Sequence, residues 1–300
     1  MKNFKNKTAV ITGAGSGFGL EFARIAAGLG MNLVLADVQP DALDRATTEM
    51  RSAGAQVLDF RLDVSKAADV DALGAAVLQR FGAPHLVFNN AGVASGGLIW
   101  ESSAADWEWV IGVNLMGVAN GIRVFVPMML DAARQNADYR GHVVNTASMA
   151  GLVSTPNMGV YTASKHAVIS MSETLYHDLS LVTSQVSASV LCPFFVPTGI
   201  AKSERNRPGD RSAARATQSQ LIGRVMLDKA VTLAKVSAAE VAQRVFEAVT
   251  ARQFYIYSHP KAIGSVQSRL EDIMLSRNPT DPFAHKPELG ESLRQALRSS

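Results

Sequence analysis

Thr12-Gly13-Ala14-Gly15-Ser16-Gly17-Phe18-Gly19 decides the fold. It follows a β-branched run, Thr8 to Thr12, and leads into a helix-period segment, Leu20 to Leu29, ended by Gly30. Glycines let the chain turn tightly and bring backbone close to a pyrophosphate, while a helix N-terminus offers free N–H groups and a positive dipole end. The spacing is T-G-x-x-x-G-x-G, not G-x-G-x-x-G, because position 18 is Phe. A glycine cluster alone reads equally as a tight strand–helix turn. At the first βα junction of a β-α-β unit it reads as a phosphate cradle, with Gly13, Ser16, Gly17, Phe18 and Gly19 as cofactor-binding candidates.

Outward from this loop, strand-length apolar runs alternate with helix-period segments. Strands are expected at Asn32–Asp37, Val57–Leu62, His85–Phe88, Gly141–Thr146, Val186–Leu191 and Phe254–Tyr257. Helices are expected at Pro40–Ala53, Ala67–Phe81, Trp107–Ala133 with a bend near Pro127, Val160–Leu181, Ala238–Ala251 and Pro260–Ser276. In Ala67–Phe81 the apolar stripe is read as Ala72, Ala76 and Val77. Nearly continuous apolar strands suit burial on both faces. The expected fold is α/β: a Rossmann-type doubly wound parallel sheet of about seven strands, with helices on both faces.

Length alone, at 300 residues, suggests about two domains. The motifs instead describe one, 1–300, in which residues 199–236 form a substrate lid region and 259–300 a C-terminal extension. Lys202 to Arg215 carries five cations against Glu204 and Asp210, a local +3 equal to the whole chain's net charge. It reads as a solvated loop or as a lid meeting an acidic substrate. Scattered charge elsewhere gives no case for a nucleic-acid partner. Cys192 stands alone, so no internal disulfide or multi-cysteine metal site is expected, and no metal is assigned. The polar start is no signal peptide, and no apolar run reaches the roughly 18–20 residues of a membrane span. A cytoplasmic chain without a membrane partner is expected.

Asp37 ends the second strand, 24 residues after Gly13. An acid there accepts hydrogen bonds from the adenosine ribose and repels a 2′-phosphate. Ser16, Phe18 and Val38 supply no cation, so NAD is preferred over NADP. Asp37 also reads as the start of the turn before Pro40. Asp63 and Val64 follow the third strand, where Asp63 either meets the adenine or caps the next helix.

Tyr161 and Lys165 are four apart and share a helix face. A cation beside a phenol lowers its pKa, and an oxidised nicotinamide would add to this, so the tyrosine can exchange a proton near neutral pH. Ser148, thirteen residues before Tyr161 and just past a strand, is placed to donate to a substrate oxygen, with Thr146 and Ser154 as rival hydroxyls.

The sequence resembles the short-chain dehydrogenases/reductases from roughly Lys7 to Gly199. The resemblance rests on Thr12 to Gly19, Asn89-Asn90-Ala91-Gly92, Asn114, Ser148, and Tyr161 with Lys165, in order. It implies that Ser148 polarises the substrate, Tyr161 is the acid/base, Lys165 holds the nicotinamide ribose and lowers the tyrosine pKa, and Asn114 supports a water-linked proton relay. It implies that Asn90, Ala91 and Gly92 brace the sheet and line the cofactor, and that Pro193 and Thr198 lie near the nicotinamide. The family's usual Pro-Gly is Pro193-Phe194 here, which leaves that backbone contact open and sets two rings beside the substrate. A homodimer or homotetramer is implied as well.

Substrate walls in this fold follow strands four to six. Trp100, Met149, Leu152, Met158 and Phe194 are large and apolar there, although such residues also read as ordinary core. With Ser148 they suit a hydrophobic or aromatic secondary alcohol or ketone. The segments Trp107 to Leu115, Phe125-Val126-Pro127 and Phe254 to Pro260 are similar to a longer-tailed subgroup that includes dehydrogenases of lignin-derived aryl alcohols. The expected activity is NAD(P)-dependent alcohol–ketone interconversion. Alternatives are a dinucleotide-binding sensor or scaffold without turnover, and an epimerase or dehydratase on the same fold.

Overall fold

Alternate residues of a strand face opposite sides of a sheet, and here both sides are apolar. The computed structural model describes residue 1, residues 3–209 and residues 216–298. The strands are β1 (Thr8–Thr12), β2 (Asn32–Asp37), β3 (Val57–Arg61), β4 (Leu86–Asn89), β5 (Gly141–Thr146), β6 (Val186–Cys192) and β7 (Tyr255–Tyr257). They form one parallel sheet in the order β3-β2-β1-β4-β5-β6-β7. Between them run α1 (Gly17–Gly28), α2 (Pro40–Ser52), α3 (Ala67–Phe81), α4 (Ala104–Ile111), α5 (Gly117–Gln135), α6 (Gly159–Val182), α7 (Gln218–Thr232) and α8 (Ala238–Ala251). After β7 come α9 (Gly264–Met274) and α10 (Pro287–Arg298).

Ala9 and Ile11 face one core with Phe22 of α1, Leu43 of α2 and Val245 of α8. Val10 between them faces a second core with Leu73 of α3, Phe125 of α5 and Leu175 of α6. The sheet is therefore wound on both faces, as expected. Phe22 and Phe88 stack with centroids 4.4 Å apart, and burying such a ring contributes about 2–3 kcal/mol. The strand order reverses between β1 and β4, so the connections diverge there and leave a crevice at the carboxyl ends.

Three local readings change. The buried face of α3 is Val70, Leu73, Gly74 and Val77, and Ala72 is exposed. The helix expected from Trp107 starts at Ala104, where Ser103 and Asp106 form a reciprocal cap. Its register changes at Gly112–Met116, a π turn, and α5 then runs through Pro127. As one 32-residue helix, Ala104–Gln135 is long and apolar enough to cross a membrane by length and composition. More than half of its apolar window is buried inside the protein, as in a core helix.

Beyond β6 the sequence reading is thinner. Gly199–Asn206 is a 3-10 segment, and α7 and α10 were not anticipated. The expected helix Pro260–Ser276 divides into a 3-10 turn, Pro260–Ile263, and α9. Asp210, Arg211 and Arg215 of the basic stretch lie outside the described residues.

Candidate active site

One cavity of about 660 Å³ lies along the carboxyl ends of the strands. Its inner wall is backbone. Gly13 and Gly17 have φ of +67° and +55°, in the left-handed region that favours glycine. A Cβ at Gly19 would stand 2.1 Å from the Gly13 carbonyl oxygen, and one at Gly13 would stand 2.9 Å from Ala91 Cα. The glycines are therefore required by close approach. Thr12 stitches the neighbouring turn to this loop: its hydroxyl accepts from Asn90 N at 2.9 Å and Ala91 N at 3.1 Å. Its carbonyl accepts from Asn90 Nδ2 at 2.9 Å. Bracing by Asn90 and Ala91 is thus visible, and Gly92 lines the cavity with them.

Ser16 caps α1 without a side-chain hydrogen bond, and Ser16, Gly17 and Phe18 line the cavity. The first N–H groups of α1 therefore remain open to an anion. Asp37 Oδ2 accepts from Gly15 N at 2.8 Å and Oδ1 from Gln39 N at 2.9 Å. The carboxylate ends β2, starts the turn before Pro40 and fixes the loop, and it lines the cavity. An uncapped helix start, a glycine cradle and a carboxylate one strand away fit a dinucleotide.

Sequence reasoning missed two cations lining this cavity, Arg61 and Lys66, while Arg205 and Arg207 of the basic stretch line it as well. Arg61 is in register with Asp37 on the adjacent strand, a pairing that only the sheet reveals. Asp63 accepts from Ser65 N at 3.0 Å and Ser65 Oγ at 2.7 Å in a local turn. Lys66, not Asp63, is the N-cap of α3, while Asp63 and Val64 line the cavity.

Ser148, Tyr161 and Lys165 share the opposite stretch of the cavity. Ser148 Oγ accepts from Ala150 N at 3.1 Å and donates to the Pro193 carbonyl at 3.4 Å. Lys165 Nζ donates to the Thr146 carbonyl at 2.9 Å and lies 5.7 Å from the Tyr161 ring centre. Burial pushes the Lys165 amine down to about 8. Burial also raises the Tyr161 phenol above its ordinary value, opposed by the Ser148 hydroxyl. The direction is set by burial, and the Ser148 hydroxyl opposes it.

Asn114 sits in the π turn, fully buried. Its Oδ1 accepts from Val93 N at 2.8 Å, and its Nδ2 donates to the Val93 carbonyl and Ser164 Oγ, both at 3.0 Å. The side chain is spent on holding the loop after β4 against α6. Pro193 and Thr198 line the cavity, and a Cβ at Gly17 would lie 3.3 Å from Thr198 Cβ.

Met149, Met158 and Phe194 line the cavity, together with Val153, Phe195 and Val196. Phe194 packs edge-on against Phe195 and His259 at 4.7 and 5.7 Å, and its N–H donates to Ser258 Oγ at 2.8 Å. That bond gives the backbone at the missing glycine a partner. Trp100 is not brought to the cavity: it lies on the 3-10 turn Ile99–Glu101, 77% exposed. Leu152 packs instead into the small core around Met149 and Ile169.

The outer wall comes from the 3-10 segment and α7. Ser203 Oγ accepts from Ala94 N at 3.0 Å, and Gln39 Nε2 donates to the Arg205 carbonyl at 2.9 Å. Arg207, expected among solvated loop cations, is buried on the Trp109 ring and paired with Asp106.

Comparison with known proteins agrees with this fold. A family model described as short chain dehydrogenase matches residues 7–209. The crystal structure of a short chain dehydrogenase/reductase from Burkholderia phymatum in complex with NAD superposes with a TM-score of 0.91 at 55% identity, covering 94% of this chain and 99% of that one. The CLA biosynthesis dehydrogenase/reductase of Lactiplantibacillus plantarum is 35% identical over 283 residues, 93% of this chain and 97% of that protein. The C alpha-dehydrogenase of a Sphingobium strain is 34% identical over 209 residues, 69% of this chain and 66% of that protein.

Proposed function

The chain belongs to the short-chain dehydrogenase/reductase family of oxidoreductases acting on CH–OH groups, and on that premise we propose that it is an NAD-dependent dehydrogenase interconverting a hydrophobic or aromatic secondary alcohol and its ketone. The observation that carries this reading is the meeting of Tyr161, Ser148 and Lys165 on one wall of a cavity whose far end holds Asp37 and the glycine loop.

Bound NAD supplies the hydride acceptor for the carbinol carbon. The chain's own residues handle the oxygen. Ser148 donates to it and fixes its position, and Tyr161 exchanges its proton. Lys165, anchored on the Thr146 carbonyl, keeps a positive charge near the phenol and a donor toward the ribose. Met149, Met158, Phe194 and Phe195 exclude water from the substrate body. Neither a carboxylate nor a cation stands among these four wall residues, which supports a neutral apolar substrate over a charged one. Asp37, held by two backbone donors, supports NAD over NADP.

Gly13, Ser16, Gly17, Phe18 and Gly19 hold the pyrophosphate in this reading, with Asp37, Asp63 and Val64 toward the adenosine. Asn90, Ala91, Gly92, Pro193 and Thr198 meet the nicotinamide half. Asn114 acts by holding the loop after β4.

The test is a panel of aryl and alkyl secondary alcohols and ketones, followed by nicotinamide absorbance with NAD and NADP in parallel. NAD-linked turnover favouring the bulky apolar members is expected. A strong preference for NADP overturns the Asp37 argument and favours Arg61, Lys66 and Arg205. Turnover without net redox change points to an epimerase or dehydratase, and binding without turnover to a sensor.

A further inference from the structure

The outer wall is held by a ring of charges that joins three segments distant in sequence. Asp106 Oδ1 accepts from Arg207 Nη2 at 2.7 Å, and Asp106 Oδ2 accepts from Gln220 Nε2 of α7 at 3.3 Å. Ser103 N and Oγ reach the same Oδ2 at 2.9 and 2.8 Å, which fixes the carboxylate at the start of α4. Glu204 accepts from Arg207 Nε at 3.0 Å and from Arg224 Nη2 of α7 at 3.1 Å. The Arg207 and Asp106 side chains are 5% and 3% exposed, and the guanidinium lies 4.2 Å over the Trp109 ring.

A buried ion pair is a poor stabiliser compared with apolar residues of the same volume. It is directional, however, and a planar guanidinium between a carboxylate and an indole has little freedom to shift. All three segments it joins face the cavity: Trp109 from α4, Ile200 and Ser203 from the 3-10 segment, Leu227 and Val231 from α7.

We propose that Asp106 and Arg207 are positioning residues for the reaction: they hold the outer wall at the separation from the glycine loop at which cofactor and alcohol are gripped. They act on binding of both and not on proton transfer. The proposal rests on the dehydrogenase reading above.

The test compares the wild-type full chain with Arg207→Met, Arg207→Lys and the double variant Asp106→Asn/Arg207→Met. NADH binding by fluorescence, KM and kcat for the best alcohol, and Tm are measured. Arg207→Met leaves a carboxylate buried without its cation, so its Tm falls. The double variant removes that charge, keeps an oxygen for the Ser103 cap and recovers most of the Tm. Its NADH Kd and alcohol KM still rise about tenfold, with kcat within about threefold of wild type. Arg207→Lys restores part of the grip.

A folded double variant whose Kd and KM stay within about twofold of wild type overturns the assignment, as does a loss confined to kcat. Should the double variant fail to fold, Arg207→Lys carries the test: about a threefold rise in Kd is expected, and an unchanged Kd overturns it. A wild-type chain that neither binds NADH nor oxidises any alcohol overturns the dehydrogenase reading and this assignment together.

Discussion

The inner and outer walls of the cavity are made of different materials. The inner wall is main chain, in which glycines pack against carbonyls and the Thr12 hydroxyl and carbonyl collect N–H groups from Asn90 and Ala91. The outer wall is side chain, held by Arg207, Asp106, Glu204 and Gln220 across three segments. Backbone packing tolerates almost no added atom, yet it is indifferent to charge. Charge pairs are directional and fail when one partner is removed. One cavity thus has a side set by backbone contact and a side set by a few directional side-chain pairs.

Tyr161→Phe removes chemistry and leaves both walls standing. A fall in kcat of about 10²–10⁴ is expected with NADH binding unchanged, and turnover near the wild-type rate would sink the acid/base assignment. Gly19→Ala attacks the inner wall, because its Cβ would stand 2.1 Å from a backbone oxygen. Loss of NADH binding by at least about tenfold, with a Tm decrease, is expected, and a variant that binds normally would show the loop to be more yielding than described. The Asp106→Asn/Arg207→Met experiment is the matching attack on the outer wall, with its smaller expected effect on binding.

Phe194→Gly restores the glycine that the resemblance leads one to expect and removes the ring held by His259. Selectivity for bulky over small alcohols should fall by roughly 10-fold in kcat/KM, with small substrates little changed. Equal losses across the panel would mean that Phe194 acts through the fold. The effect furthest from the chemistry belongs to the sheet beneath both walls. His142 on β5 is buried and shares a 2.7 Å hydrogen bond with Ser189 Oγ. Burial, with help from the N-terminus and Arg252, pushes its imidazole down to about 3. The unfolded chain then takes up the proton first. Stability is full above the ordinary histidine value and is lost as pH falls toward 3, by at most about 1.4 kcal/mol per pH unit. His142→Asn should flatten the Tm profile between these limits, and an unchanged profile would place the acid sensitivity elsewhere.

The same contrast explains what the sequence made legible. β1, β2, β5, α3 and α8 fall where their apolar runs and punctuating residues put them, because short buried strands and capped helices are local signals. The catalytic candidates were legible through spacing: Ser148, Tyr161 and Lys165 come together because a strand end and a helix start are adjacent in this topology. The outer wall was not legible. Glu204 is a local partner, but nothing local tells that the Arg207 side chain is covered while Lys202 is exposed, since Asp106, its other partner, is 101 residues away. Trp100 misled because its size suggested lining, whereas its turn points it to solvent. One available signal was overlooked: Thr217 and Gln220 form a T-x-x-Q capping box that announces α7.

The π turn at Gly112–Met116 has a consequence for how the chain can change length. A π turn carries an extra residue, and each helical residue advances the face by about 100°. Deleting that residue would leave the two helices nearly in phase, whereas, were the turn to take ordinary α geometry with every residue kept, the extra residue would rotate α4 against α5 by nearly that angle. Asp106 and Trp109 would turn away from Arg207 while Val124 and Phe125 kept their places in the core. The irregular turn works as a phase setter between a helix that answers to the sheet and one that answers to the outer wall. A substitution that straightens it with its length unchanged therefore trades a local improvement in geometry for a misaligned cavity.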